Sequence, residues 1–341
     1  MPDPIAGCLI GTAVGDAVGL PAEGCKRARI DRRFPRPWRH RLIGRWGMCS
    51  DDTEHTFFVA QALLASAGDV DRFRRSLAWK LRWWFIALPA GVGMATAKAC
   101  IRLWLGWPST KSGVWSAGNG PAMRSAILGV VFREDPLARK AHVTASTELT
   151  HRDPKANYVA RAVADLAAAW AKEDYDVSTN MNLLRAITND AQWQGLIDSV
   201  EQGLAQQLNA RAMADSLGLQ RGISGYAYHT GPMVLFTALR FGDDPREALE
   251  QIWSCGGDVD TTGAILGGIL GARHGPEVFP AEWVSGIHNG PLSLNVLRQA
   301  AKALHSATGA KPVSWCWPLV PLRNIVFLLI ILGHGFRRLL P

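Results

Sequence analysis

Residues 50–54 read SDDTE, and residues 256–262 read GGDVDTT. Each stretch sets two carboxylates and a hydroxyl within a few positions: Ser50, Asp51 and Asp52 in the first, Asp258, Asp260 and Thr261 in the second. Acidic side chains this close repel one another unless a cation neutralises them. All six side chains offer oxygen, which suits hard Mg²⁺, Mn²⁺ or Ca²⁺ and not zinc with its thiolates and imidazoles. Four carboxylates carry more charge than one divalent ion requires, so two ions bridged by a carboxylate balance the set better. The bland alternative is that each acid is a helix N-cap. Gly256 and Gly257 would let the backbone turn sharply into the second stretch.

Three further pieces carry chemistry-bearing residues. In GTAVGDAVGLPAEG (11–24), Asp16 sits on an Ala/Gly-rich helix that permits close packing. Glu23 follows Pro21 in a Gly-flanked loop, as a solvated carboxylate or as a mobile acid or base linked to the metal site. SAGNGPAMR (116–124) is a Gly-rich turn opening a helix, whose amides could hold a phosphate, although it is neither a Walker A nor a dinucleotide fingerprint. His151, in LTHRDP ahead of a long helix, is either structural or a substrate contact.

The elements that must position these residues are helical. Ala and Leu are abundant and few runs alternate with period two. Ile5, Cys8, Leu9, Thr12 and Ala13 recur at helical spacing. Helices are expected over 54–66, 71–87, 93–105, 120–132, 155–172, 181–188, 195–207, 231–241, 245–253, 261–273 and 293–306, with Gly and Pro at the joints. Thr53, Glu54 and Thr262 are expected to start the helices that hold the acids. One all-α domain over 1–312 fits better than two, because no fixed-period repeat or low-complexity linker divides the chain.

Charged residues make up only 19% of the 341, so a large core is expected and global disorder is not. The net charge of +8 favours anionic partners. The basic run KRARIDRRFPRPWRHR (26–41) reads as a solvated loop, and with no nucleic-acid-binding signature beside it no sequence-specific nucleic-acid binding is expected. None of the six cysteines forms C-x-x-C, and the N-terminal MPDPIAG has neither a basic nor a long apolar region, so a reduced, cytoplasmic protein is expected. Cys49 and Cys255, which flank the acidic stretches, read as packing residues. The tail 313–341 differs: IVFLLIIL (325–332) is apolar, but Pro318, Pro321 and Arg323 interrupt the run before it reaches spanning length. A buried or oligomer-packing helix is expected there, with a peripheral or re-entrant membrane contact as the alternative.

Together, GxxxGDAxGxPxE, SDDT, GNGPAMR, THxxP and GGDxDTxxAI, in this order over about residues 5–275, resemble the ADP-ribosylglycohydrolase family. The resemblance implies a compact, orthogonal multi-helix fold with a binuclear Mg²⁺ or Mn²⁺ centre in a cleft. It implies hydrolysis of an α-linked ADP-ribosyl group on a protein or small acceptor, with ADP-ribose as product. Carried over motif by motif, Ser50, Asp51, Asp52, Asp258, Asp260 and Thr261 match the metal ligands. Gly118, Asn119, Gly120 and Met123 match the loop around the diphosphate and distal ribose, and His151 matches a histidine near the substrate. Glu23 matches the mobile glutamate, and Glu23, Asp52 and Asp258 are the catalytic candidates.

The chain also departs from the family pattern. Ser50 stands where Thr is common, which keeps the hydroxyl. Ala90 and Gly91 occupy the place where arginine-directed relatives carry an acid, which counts against an arginine acceptor. His229 and Thr230 fall in a segment that varies in the family, and 313–341 lies beyond the shared core. An inactive relative that only binds ADP-ribosylated targets is the competing reading. Retention of all six ligands and Glu23 argues for activity.

Overall fold

The computed structural model describes residues 2–306 and 310–339. Among them the regular structure is helical and no β-strand occurs. The order is α1 (Pro4–Gly19), α2 (Arg27–Arg33), α3 (Asp51–Ser66), α4 (Val70–Ile86), α5 (Met94–Trp104) and α6 (Ala126–Val131). Then follow α7 (Pro136–Glu148), α8 (Pro154–Trp170), α9 (Val177–Arg185), α10 (Ala191–Ala205), α11 (Ala210–Ser216) and α12 (Ala227–Phe241). The chain continues through α13 (Pro245–Ser254), α14 (Val259–His274), α15 (Ala281–Ser285), α16 (Leu294–Ser306) and α17 (Val320–Leu339).

The centre is the pair α1 and α14, each buried along almost its whole length. Gly7, Gly11 and Gly15 recur every four residues on one face of α1 and meet Gly271, Gly267 and Gly263 on α14. A Cβ at any of the α1 glycines would lie well inside van der Waals contact of the facing carbonyl oxygen. Because the backbones touch, the residue after Gly15 is carried up to the first turn of α14, which places Asp16 beside Asp260. Helices α3, α6, α8, α12, α13 and α16 surround the pair.

Position 15 therefore supports a sharp comparison. Gly15→Ala is expected to cost about 2–3 kcal/mol by forcing α1 off α14. Gly195→Ala, in α10 where a Cβ meets open space, is expected to stabilise by about 0.5–1 kcal/mol. Chemical denaturation of the two variants beside wild type checks both signs.

Several local expectations change. Helix α3 begins at Asp51 and α14 at Val259, earlier than Glu54 and Thr261. The expected helix over 120–132 is broken into a 3₁₀ turn, Ala122–Arg124, and the short α6. There the Ser125 hydroxyl donates to the Pro121 carbonyl at 2.7 Å, a bond that competes with the helical ladder. The basic stretch 26–41 is not a free loop. Its first half is α2, Arg27, Asp31 and Arg36 pair with Asp215, Arg211 and Glu247, and Trp38 is buried.

The tail packs on the body. Val320, Asn324 and Phe327 face inward, and Phe327 joins Leu20, Leu42 and Met48 in a small apolar cluster. Asn324 donates to the Ala87 carbonyl at 2.8 Å. Residues 340 and 341 of the tail lie outside the described residues. Among the described residues two helices are long and apolar enough to cross a membrane: Pro4–Ala22, which is wholly buried core, and Trp317–Phe336, most of whose surface is uncovered.

Candidate metal centre and substrate cavity

The N-termini of α3 and α14 converge, and the two acidic stretches meet there. Ser50 is the N-cap of α3: its hydroxyl accepts from the Asp52 amide at 3.3 Å and donates to Asp52 Oδ2 at 2.9 Å. Thr261 Oγ1 donates to that same oxygen at 3.2 Å, joining the two stretches directly. Asp51, Asp52 and Asp260 lie inside the first helical turns, where they are not caps. Asp258 occupies the N-cap position of α14 but makes no capping bond there, and its Oδ2 accepts instead from Asn119 Nδ2 at 2.6 Å. Capping thus does not explain the four aspartates.

The turn before Asp258 needs its glycines. Gly256 and Gly257 have φ of 73° and 85°, and a Cβ at Gly257 would collide with the Ile223 carbonyl. The Gly257 amide donates to Cys25 O at 2.9 Å and its carbonyl accepts from Gly24 N at 2.8 Å, which holds the Glu23 loop against this turn. Glu23 Oε2 accepts from the Val259 amide at 3.0 Å.

Two groups of ligating oxygens result. Asp16, Asp52 and Asp260 form one, and Glu23, Asp258 and Asp260 the other, each with its atoms within 4.8 Å of one another. Asp260 belongs to both. Asp51 lines the cavity beside them without joining either group.

The electrostatics follow from this crowding. Burial, then the charge of Asp260, raise Asp16 and Asp258 to about 7. Burial and Asp260 also hold Glu23 and Asp51 well above the usual carboxylate range. Burial and Asp51 do the same for Asp52. Among the described residues no Lys or Arg forms an ion pair with Asp16, Asp52 or Asp260. Asp52 Oδ1 is buried and has no hydrogen-bond partner. An orphaned carboxylate oxygen inside an all-oxygen cluster lacking a counter-charge is what a hard divalent cation would satisfy. The residues present therefore fit such an ion.

Asp16 was missing from the ligand set read from sequence. Its two oxygens accept from the Ser50 amide at 2.9 Å each, and one also accepts from Thr53 Oγ1 at 2.5 Å. It therefore fixes the SDDT turn as well as joining the first oxygen group. The signal was its place directly after Gly15 in the glycine stripe. The cysteines flanking the stretches are buried thiols raised by burial, Cys49 well above its usual range and Cys255 to about 12, in keeping with packing roles.

Glu23, Asp51, Asp258 and Asp260 line a cavity of about 810 Å³, while Asp16 and Asp52 are buried and do not line it. Gly118, Asn119, Gly120, Met123 and His151 line one wall, so all five residues expected around a substrate come together. Asn119 is partly committed elsewhere: its amide nitrogen donates to Asp258 Oδ2 and to Thr230 Oγ1 at 3.0 Å. It ties the GNG turn to the second acidic stretch. His151 packs beneath that turn, where a Cβ at Gly118 would approach its Nε2 to 2.8 Å. Arg124 Nη2 donates to Thr150 Oγ1 at 2.8 Å, and that hydroxyl shares a hydrogen bond with His151 Nδ1, also 2.8 Å away. The other ring nitrogen, Nε2, lies beside the GNG turn. Arg221, which no motif marked, is the one Arg or Lys on the cavity wall among the described residues.

Burial, with help from Arg124, pushes His151 down to about 3. An unfolded histidine titrates near 6.5. Below that pH the unfolded chain takes a proton that the folded chain refuses. Stability contributed above 6.5 is therefore lost as pH falls toward 3. His151→Gln is expected to reduce the loss between pH 7 and pH 5 by about 2 kcal/mol, checked by urea unfolding at both values.

Known proteins of similar sequence and fold point to one family. A sequence model described as ADP-ribosylglycohydrolase matches residues 2–313. The ADP-ribosyl-[dinitrogen reductase] glycohydrolase of Rhodospirillum rubrum is 26% identical over 292 residues, covering 83% of this chain and 90% of that protein. An uncharacterised protein of Archaeoglobus fulgidus is 28% identical over 295 residues, covering 84% and 92%. A solved structure titled ADP-ribosylglycohydrolase-related protein complex superposes with a TM-score of 0.65 at 25% identity, over 89% of this chain and 97% of that one. The family match spans residues 2–313 and the helical fold superposes over most of both chains, and the chain belongs to the ADP-ribosylglycohydrolase family.

Proposed function

We propose that this cavity hydrolyses the glycosidic bond between ADP-ribose and an acceptor, with two Mg²⁺ or Mn²⁺ ions held by Ser50, Asp51, Asp52, Asp258, Asp260 and Thr261, and by Asp16. The observation that carries the reading is Asp260, shared between two oxygen groups and lining a cavity walled by the GNG turn. The ions would supply charge neutralisation and a fixed hold on the distal ribose hydroxyls. The chain's own residues do the rest. The GNG turn, Met123 and the His151 ring face the diphosphate and distal ribose, and Arg221 offers a cation to the diphosphate. Glu23 and Asp258 stand on the same side of the cluster. One gives a proton to the leaving atom and the other takes one from the attacking water, as glycosidic cleavage requires. Asp52 completes the catalytic set by holding the two stretches in register.

On the acceptor side the wall is apolar, with Leu20, Leu42, Ala90, Met94, Phe327 and Ile331. A guanidinium finds no carboxylate there, so an arginine acceptor is disfavoured against a serine-linked or small neutral one. Incubation with ADP-ribosyl-arginine, ADP-ribosyl-serine and O-acetyl-ADP-ribose, each with Mg²⁺ or Mn²⁺, tests this. Release of ADP-ribose, slowest from arginine, is expected. No turnover of any substrate together with no metal binding would sink the enzymatic reading and leave a binding protein.

A further inference from the structure

The uncovered side of α17 is one half of a larger surface. Leu322, Ile325, Leu329 and Leu332 form an exposed stripe along the helix, opposite the inward Val320, Asn324 and Phe327. Trp317, just ahead of α17, stacks edge-on against Trp83 of α4 at 5.5 Å, and Trp83 meets Trp104 of α5 at 5.9 Å. Trp79, Trp107, Leu88 and Met94 extend the same neighbourhood and are exposed. Most of the large apolar side chains exposed among the described residues lie on α4, α5, the loop between them, or α17. Monomeric proteins do not leave such patches uncovered without a use.

Charge says what covers it. From Arg72 to the end of α4, and throughout α5 and α17, the chain contains no Asp or Glu, and Asp71 in the first turn of α4 is paired with Arg74 at 3.6 Å. The charged groups of these stretches are basic: Arg75 and Lys98 are exposed, and Arg82 and Arg102 stack on Trp79 and Trp107 at 4.8 and 4.9 Å. Lys98 shares its side of α5 with the exposed Met94, Ile101 and Leu105, at helical spacing. Tryptophan rings, aliphatic stripes and arginines without acids match the interface of an anionic bilayer. A second copy of the chain does not fit, since a two-fold contact would set basic face against basic face.

We propose that α17 and the tryptophan-rich face of α4 and α5 form a docking surface for an anionic lipid bilayer. The helix lies along the interface and does not span it, because Arg323 and the inward stripe bind the body. Leu88 and Met94 belong to this face while Ala90, Met94 and Ile331 line the cavity, so docking sets the cavity mouth at the membrane edge. This inference stands apart from the catalytic reading and is tested without turnover.

The test is co-sedimentation of the full chain with vesicles of phosphatidylcholine alone or mixed with phosphatidylglycerol. Binding to the mixed vesicles only, weakened by salt, is expected. Arg75→Glu with Lys98→Glu should lower the partition about tenfold or more. Ile325→Glu with Leu329→Glu should leave the protein in the supernatant. Circular dichroism shows whether each variant is folded, and the lipid and salt dependence of wild type decides the matter if one is not. Two results overturn the proposal: equal recovery in the supernatant with both vesicles, or equal binding to both. A third is a dimer in sedimentation velocity that Leu329→Glu dissociates while wild type ignores vesicles.

Discussion

Asp258→Asn is expected to make the chelator-treated protein more stable while lowering turnover by about 10³-fold or more. Asp258 is raised to about 7 by burial and Asp260, against an ordinary value of 3.8. A carboxyl raised in the fold contributes stability below its unfolded pKa and loses it as pH climbs through the folded one. The metal-free wild type should therefore weaken between pH 4 and pH 7, by roughly 2–4 kcal/mol from this group. Asparagine removes the charge and keeps an oxygen to accept from Asn119. The variant should match wild type near pH 4 and exceed it at pH 8, as seen by thermal unfolding in EDTA. With saturating Mn²⁺ the order reverses, because wild type gains the ligand's binding energy and the variant gains less.

Arg323→Ala is expected to cost about 3–5 kcal/mol, although the residue lies beyond the family-matched region. The Arg323 side chain is only 8% exposed and bonds Glu54 Oε1 at 3.2 Å, Asn289 Oδ1 at 2.5 Å and the Cys49 carbonyl. Cys49 directly precedes Ser50, so one guanidinium pins the backbone entering the first acidic stretch. Removing it leaves Glu54 buried with Trp84 Nε1, at 2.6 Å, as its remaining donor. Burial already raises Glu54 in spite of Arg323. The double variant Arg323→Ala, Glu54→Gln should recover part of the loss, since a neutral amide tolerates that pocket. It should not recover metal affinity, because the Cys49 carbonyl stays untethered. Urea unfolding and Mn²⁺ titration of the single and double variants separate the two effects.

What the sequence discloses and what it hides divide along contact range. SDDT and GGDVDTT were readable because each is a local pattern, and the requirement for neutralisation then linked them. Their capping alternative failed only when the helix starts were seen at Asp51 and Val259. Asp16 could have been drawn from the Gly7–Gly11–Gly15 stripe, but its partner glycines lie about 250 residues away. Arg323 had no local signal, because its meaning comes from Cys49, Glu54 and Asn289 in distant elements. Arg124 had no local signal for a related reason: it closes GNGPAMR, is wholly buried and reaches His55, Ser146 and Thr150 in other elements. The run 26–41 looked solvated by composition, and its acids came from α11 and α13. The tail's composition allows a packing helix or a membrane contact, and the structure shows one stripe of it packed and the other uncovered.

The proposed hydrolysis depends on the two acidic stretches forming one cation site with Asp260 shared. Calorimetric titration of the chain with Mn²⁺, followed by paramagnetic resonance of the filled protein, tests this most directly. Two ions per chain with a spin-coupled signal, reduced to one uncoupled ion by Asp260→Asn, is the predicted result. No binding, or two uncoupled ions unaffected by that substitution, would contradict it.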